Sequence, residues 1–254
     1  MSQLTTLLFD VDGTLADTEA SGHRVAFNKA FAEAGLDWNW SKATYGELLA
    51  VTGGKERIKF FIDDFLEDFT PDQEITEFAA QLHKRKTHYY LEMLQQGEIP
   101  LRNGVKRLIH EAKAAGLRMG IATTTTPANV TYLLSATLGE ESVDWFEVIA
   151  AGDIVPAKKP APDIFQYAMQ EMGVSVEETL AFEDSANGFL SSTGAGLSTL
   201  VTVNDYTQND SFPGALAVLD QLGDMDQPFK VLHGVKGEHT MVDVDYLHWL
   251  FAQR

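Results

Sequence analysis

An α/β architecture, with a parallel sheet carrying helices on both faces and a separate helical insertion, is predicted for this 254-residue chain by three observations. A short apolar run, Leu4 to Phe9, opens the chain and ends in acidic residues. A long stretch of helical periodicity then intervenes before the next apolar run, near Leu117. From Pro100 onward helix and strand patterns alternate, as expected where helices cross over a parallel sheet.

The elements follow in order. Residues 4–9 are a strand because their apolar run is short and bounded by turn residues. Glu19 to Ala34, Tyr45 to Val51, Glu56 to Phe69 and Asp72 to Gln96 repeat apolar residues at three and four spacings and are predicted helices. Gly35, Gly53-Gly54 and Thr70-Pro71 punctuate them. In the second half, helices are predicted over 105–115, 127–138 and 162–172, and strands over 117–122, 147–150 and 179–182. Leu197 to Val203 reads as another strand, 215–222 as a segment holding a short strand, 223–237 as loop, and 246–251 as a closing helix whose Trp249 and Phe251 pack on the core. The expected organisation is a Rossmann-like core, residues 1–16 and 100–254, interrupted by an α-helical cap, residues 17–99.

Composition narrows the function. Hydrophobic residues make up 44% of the chain, enough for a substantial core and a second domain. No stretch approaches the roughly 20 apolar residues of a membrane span. The first apolar run has no basic segment before it, so a cytoplasmic or organelle-stromal enzyme is expected. Zero cysteines exclude disulfides, thiolate catalysis and cysteine metal sites. With 19 basic against 37 acidic residues, the formal net charge of −18 argues against nucleic acid and anionic membranes as partners. An acidic enzyme with an anionic substrate needs local positive charge, and the basic clusters are Lys55 to Lys59, Lys84-Arg85-Lys86 and Lys158-Lys159.

The string LLFDVDGTLADTE carries the chemistry. Asp10 and Asp12 stand two residues apart at the end of a strand, so their side chains share one side of an extended backbone. One carboxylate can attack while the other handles protons. Gly13 permits a sharp turn and Thr14 can bond locally to hold it. Read alone, the same residues fit an Asp-Gly turn. Position favours the chemical reading, because ligand sites of open parallel sheets lie beyond the carboxyl ends of the strands. Three further polar groups follow strand-like runs: Thr123 to Thr126, Lys159 in KKPAPDIF, and Glu183-Asp184 in LAFEDSANG.

Together these four pieces, spread over residues 8–188, resemble the haloacid dehalogenase superfamily of phosphotransferases. The resemblance implies that Asp10 is a nucleophile forming an aspartyl-phosphate. Mg2+ would then be held by Asp10, a main-chain carbonyl at Asp12, and Asp184, with Glu183 assisting as a further ligand or from beside Asp184. Lys159 would neutralise the phosphoryl oxygens, Thr123 and the amide of Thr124 would donate hydrogen bonds to them, and Thr125 lies in the same substrate loop. Asp12 would protonate the leaving oxygen and then activate water.

In the cap, Asp17-Thr18-Glu19 followed by His23 is similar to the family's helical-cap members, with His23 one residue further along than that pattern has it. Glu19 and His23 are therefore candidate substrate residues. Thr52-Gly53-Gly54-Lys55-Glu56-Arg57 looks like a substrate-specificity loop, in which Gly53 and Gly54 allow close backbone approach and Lys55 supplies charge. Lys84-Arg85-Lys86 sits on a predicted helix. A solvated basic face is the ordinary reading of such a run, whereas the resemblance implies that Arg85 and Lys86 reach the substrate and grip a distal phosphate, whose binding energy can drive closure.

DWNWSKATYGELLAVTGGKERI and GLRMGIATTTTPANV are similar to CbbY-type members of the superfamily. That similarity implies hydrolysis of xylulose 1,5-bisphosphate, an inhibitory misfire product of Rubisco, to xylulose 5-phosphate. A small-molecule sugar phosphate is the expected partner and a monomer the expected state. A β-phosphoglucomutase, which uses the same four motifs, and a non-catalytic sugar-phosphate sensor are the alternatives. A phosphorylation-dependent signalling receiver would be about half this size and would need no cap.

Overall fold

The computed structural model describes residues 3–51, 53–66, 69–235 and 237–254. Thr52 of the expected specificity loop, and residues 67 and 68 of an expected helix, lie outside them. In chain order, β1 (Thr6–Phe9) is followed by α1 (Arg24–Glu33), α2 (Lys42–Leu48), α3 (Gly54–Phe65) and α4 (Ile75–Gln95). Then come α5 (Val105–Ala114), β2 (Arg118–Ala122), α6 (Pro127–Leu138), β3 (Val148–Ala150), α7 (Asp163–Met172) and β4 (Thr179–Glu183). The chain closes with α8 (Ala186–Gly194), β5 (Ser198–Thr202), β6 (Ala217–Leu219), β7 (Val231–Gly234) and α9 (Val244–Phe251).

Two compact units divide the chain, Met1–Asp17 with Pro100–Arg254, and Thr18–Ile99. Asp17, assigned to the cap by sequence, belongs to the core unit. The two linkers are paired there: Ala16 bridges Leu101, and the Arg102 amide donates to the Leu15 carbonyl at 2.9 Å. The core unit holds a seven-stranded sheet in the order β3-β2-β1-β4-β5-β6-β7. All neighbours are parallel except β6 and β7, which are antiparallel. Every residue of β1 is buried, so this central strand reads as a continuous apolar run without alternation. Phe9 stacks on Phe182 of the neighbouring β4 with ring centroids 4.6 Å apart.

β7 falls inside 223–237, which the sequence assigned to loop. Its residues are mostly exposed, so no burial pattern marks it; pairing with β6 alone makes it a strand. In the closing helix Phe251 is buried, while Trp249 lies half-buried against Tyr246 at 5.7 Å. The expected helix over 19–34 is two pieces, a turn of π-helix over Thr18–His23 and then α1. Helix α4 starts at Ile75 instead of 72 because Glu74 caps it, accepting from the amides of Thr76 and Glu77 at 2.8 and 3.1 Å. The helical unit has its own aromatic core: Trp40, fully buried, packs against Phe27 at 4.7 Å, Phe31 at 4.8 Å and Phe61 at 5.3 Å. No helix among the described residues is long and apolar enough to cross a membrane.

Candidate active site

The site grows from the carboxyl ends of β1, β2 and β4. β1 lies between the other two, with Phe9 level with Phe182 on one side and Ile121 on the other. The next amide, that of Asp10, still donates to the Phe182 carbonyl at 3.0 Å, so Asp10 is a rung of the sheet. That register places Asp10 beside Glu183, the last residue of β4, and Asp184 follows at once. Lys159 bridges the strands, with Nζ donating to Asp10 Oδ1 and to Glu183 Oε1, both at 2.6 Å. All four groups are buried.

Asp10, Glu183 and Asp184 each offer an oxygen within 4.8 Å of the others. Lys159 thus touches two of the three carboxylates, while Arg102 and then Lys159 act on Asp184 without a hydrogen bond. Burial pushes the Glu183 carboxyl up to about 8, with Lys159 opposing the rise and Asp10 adding to it. Asp184 is raised well above the usual carboxylate range by burial first, then by Asp10 and Glu183. Burial would lower Lys159, yet the two carboxylates it touches outweigh that and hold it charged. A hard divalent cation with oxygen ligands fits such a cluster, since it supplies the missing positive charge. Asp10, Glu183 and Asp184 are the residues that could hold it.

Asp12 is half-buried, and its carboxylate lies outside that group of three. Its backbone belongs to a tight turn in which Gly13 N donates to Ala16 O at 2.8 Å and Leu15 N to Val11 O at 2.9 Å. Thr14 bonds within this turn through its amide, which donates to Val11 O at 3.3 Å, while its Oγ1 donates to Asp184 Oδ1 at 3.5 Å. Thr123 is buried at the tip of β2, its amide bonded to Ala150 O at 2.9 Å. Thr124 is exposed, and Thr125 Oγ1 accepts from Asn129 at 3.0 Å. Asn204, unmarked in the sequence, donates to Asp184 Oδ2 at 2.7 Å.

The helical unit carries a second cluster, of opposite polarity. Lys86 on α4 is 8% exposed and donates to His23 Nδ1 at 2.9 Å, with its ammonium over the rings of Tyr90 (4.9 Å) and Phe27 (5.2 Å). His23 is driven well below its ordinary range by burial, then by Lys86, Arg57 and His83. It is therefore neutral and accepts through Nδ1. Glu19 accepts from Tyr45 Oη at 2.6 Å, and Arg57 donates to the same hydroxyl at 2.8 Å. Gly53 takes φ +99° just before α3, and a side chain on Gly54 would collide with His83, its Cβ lying 2.4 Å from Cδ2. Lys55 is exposed and lowers the His83 pKa less than burial and Lys86 do.

Arg85 lines an open groove with Glu33, Gln81, Lys84 and His88, whereas Lys86 meets His23, because successive helical residues point about 100° apart. Arg57, part of the expected specificity loop, and His83, on the helical face of Lys86, belong to this cluster; Tyr45 is a member that sequence reasoning did not single out. The three-residue spacing of His83 and Lys86 is the signal for their shared face.

The model of the haloacid dehalogenase-like hydrolases matches residues 4–196. The chain belongs to this family. Among its relatives, Protein CbbY of Rhodobacter capsulatus is 50% identical over 213 residues, 84% of this chain and 91% of that protein. CbbY from Rhodobacter sphaeroides has been solved in complex with phosphate; it is 45% identical, with a TM-score of 0.72 over 86% of this chain and 94% of that one. An aspartate-to-asparagine mutant of the same protein, in complex with xylulose-(1,5)bisphosphate, is 44% identical with a TM-score of 0.72 over 88% and 98% of the two chains. This haloacid dehalogenase-like hydrolase is an enzyme of the phosphatase class.

Proposed function

We propose that this chain is a Mg2+-dependent phosphatase that converts xylulose 1,5-bisphosphate to xylulose 5-phosphate and phosphate. The observation that carries the reading is the buried Asp10, held at 2.6 Å by Lys159 beside Glu183 and Asp184. Support for the substrate comes from the relative with xylulose-(1,5)bisphosphate bound. The helical unit's Lys86 and Arg57 have the positive charge that a second phosphate requires, and the neutral His23 holds Lys86 in place.

When bound at Asp10, Glu183 and Asp184, the cation supplies charge that lets a carboxylate approach a phosphate dianion. Asp10 attacks phosphorus and the bond from phosphorus to the sugar C1 oxygen breaks. Asp12, protonated at that stage, gives its proton to the departing oxygen. Lys159 and Thr123 donate to the phosphoryl oxygens as charge spreads over them. Asp12, now a carboxylate, takes a proton from water, which attacks phosphorus and breaks its bond to Asp10. Phosphate leaves, and Asp10 is regenerated.

A panel of sugar mono- and bisphosphates, assayed with Mg2+ and with chelator, tests this. The expected result is the highest kcat/KM on xylulose 1,5-bisphosphate, with one phosphate released per ketose monophosphate and no turnover in chelator. Isomerisation of glucose 1-phosphate without phosphate release would replace the reading with a mutase.

A further inference from the structure

We infer that Asn204 is a positioning residue for Asp184, held in place by Arg102, and that it sets the site's affinity for its divalent cation. The inference rests on the metal reading above and assigns a role to residues outside the motifs. Asn204 follows β5, and its two polar atoms have separate duties. Oδ1 accepts from the Tyr206 amide at 2.9 Å and closes a turn, whereas Nδ2 donates to Asp184 Oδ2 at 2.7 Å. Thr14 approaches the other oxygen of that carboxylate at 3.5 Å, so the amide of Asn204 is its shorter tether. An uncharged donor suits this task, because it orients the carboxylate and leaves its negative charge for a cation; an ammonium in the same place would repel one.

The backbone that carries Asn204 is itself fastened. The Arg102 guanidinium donates to the carbonyls of Thr202 at 2.8 Å, Val203 at 2.5 Å and Asp220 at 3.0 Å. The same side chain reaches the Gly13 carbonyl at 2.5 Å, next to Asp12. One rigid fork thus ties the loop after β5 to the turn after β1. Gly13 closes the packing: a Cβ there would lie 2.2 Å from Asp184 Oδ2 and 2.8 Å from Asn204 Nδ2, so only glycine lets the pair sit against this turn.

Calorimetric titration of the substrate-free protein with Mg2+, alongside the thermal midpoint in chelator, tests the role without any turnover. Asn204→Ser keeps an acceptor for the Tyr206 amide but is one bond too short to reach Asp184. Asn204→Ala removes both. Both variants are expected to weaken Mg2+ about 10- to 100-fold, the range for losing a group that orients a metal ligand. The chelated midpoint of Asn204→Ser is expected to lie above that of Asn204→Ala, since only the latter also loses the turn. A Ser variant that binds Mg2+ like wild type, with only the Ala variant impaired, would reduce Asn204 to a turn residue and overturn the inference. A wild-type chain that takes up no Mg2+ would remove the metal reading and this role together.

Discussion

The strand-end cluster of the core and the cluster of the helical unit bury charge of opposite sign by the same physics. Asp10, Glu183 and Asp184 gather beside the Lys159 ammonium, which bonds the first two, and burial raises the carboxyl pKa values of Glu183 and Asp184. Lys86, Arg57, His23 and His83 gather near Glu19, and burial lowers the two histidines. Burial thus favours the neutral acids of Glu183 and Asp184 in one cluster and the neutral bases of His23 and His83 in the other. The core cluster is therefore suited to a cation and the cluster of the helical unit to an anion.

The sharpest way to break this contrast is Asp10→Asn. It removes the attacking charge at nearly constant shape, so turnover should fall by at least about 10^3-fold while the circular dichroism spectrum stays unchanged. Activity near wild type would deny the core its nucleophile. Next in size is Lys159→Ala, which strands two buried carboxylates; losing one partner of such a buried network costs about 3 to 5 kcal/mol. Denaturant unfolding in chelator should show that loss and Mg2+ should recover part of it. A loss unaffected by Mg2+ would separate the lysine from the acidic cluster.

A third test uses pH. Glu183 titrates near 8 in the folded protein and near 4.5 when unfolded, so the folded state holds the extra proton between those values. The contribution of this group to stability is then full below about pH 4.5 and is lost as pH rises toward 8. Asp184, shifted the same way, adds to the slope. In chelator the thermal midpoint should fall over that window, and saturating Mg2+ should flatten or reverse the fall, since cation and proton compete for the same oxygens. Identical slopes with and without Mg2+ would sink the competition. The smallest effects compare neighbours on α4. Lys86→Ala should raise KM for a bisphosphate about 10- to 100-fold, the worth of one charge-assisted hydrogen bond. Arg85→Ala should leave KM unchanged and move stability by no more than about 0.5 kcal/mol.

That last pair shows what was legible in the sequence. Lys84, Arg85 and Lys86 are one basic run in one dimension, and only the helical rotation decides that Lys86 meets His23 while Arg85 joins Glu33. Asp10, Glu183 and Asp184 were readable as neighbours because they lie at strand ends that parallel pairing brings together, whereas Lys159 reaches them from the loop between β3 and α7. Arg102 and Asn204 were not readable, since their bonds run to main-chain oxygens and to an aspartate fixed by tertiary structure. β7 was missed for a related reason: four mostly exposed residues acquire strand geometry from β6 alone.

The Asp10 amide bonds to Phe182 between two inner strands of the sheet, so this acid shares the fate of a buried, fully paired part of the backbone. Hydrogen exchange at that position should proceed only through global opening, and heat inactivation should coincide with loss of the whole core unit. Asp10 is anchored at its backbone, and any opening and closing that accompanies turnover is expected to fall to other parts of the chain.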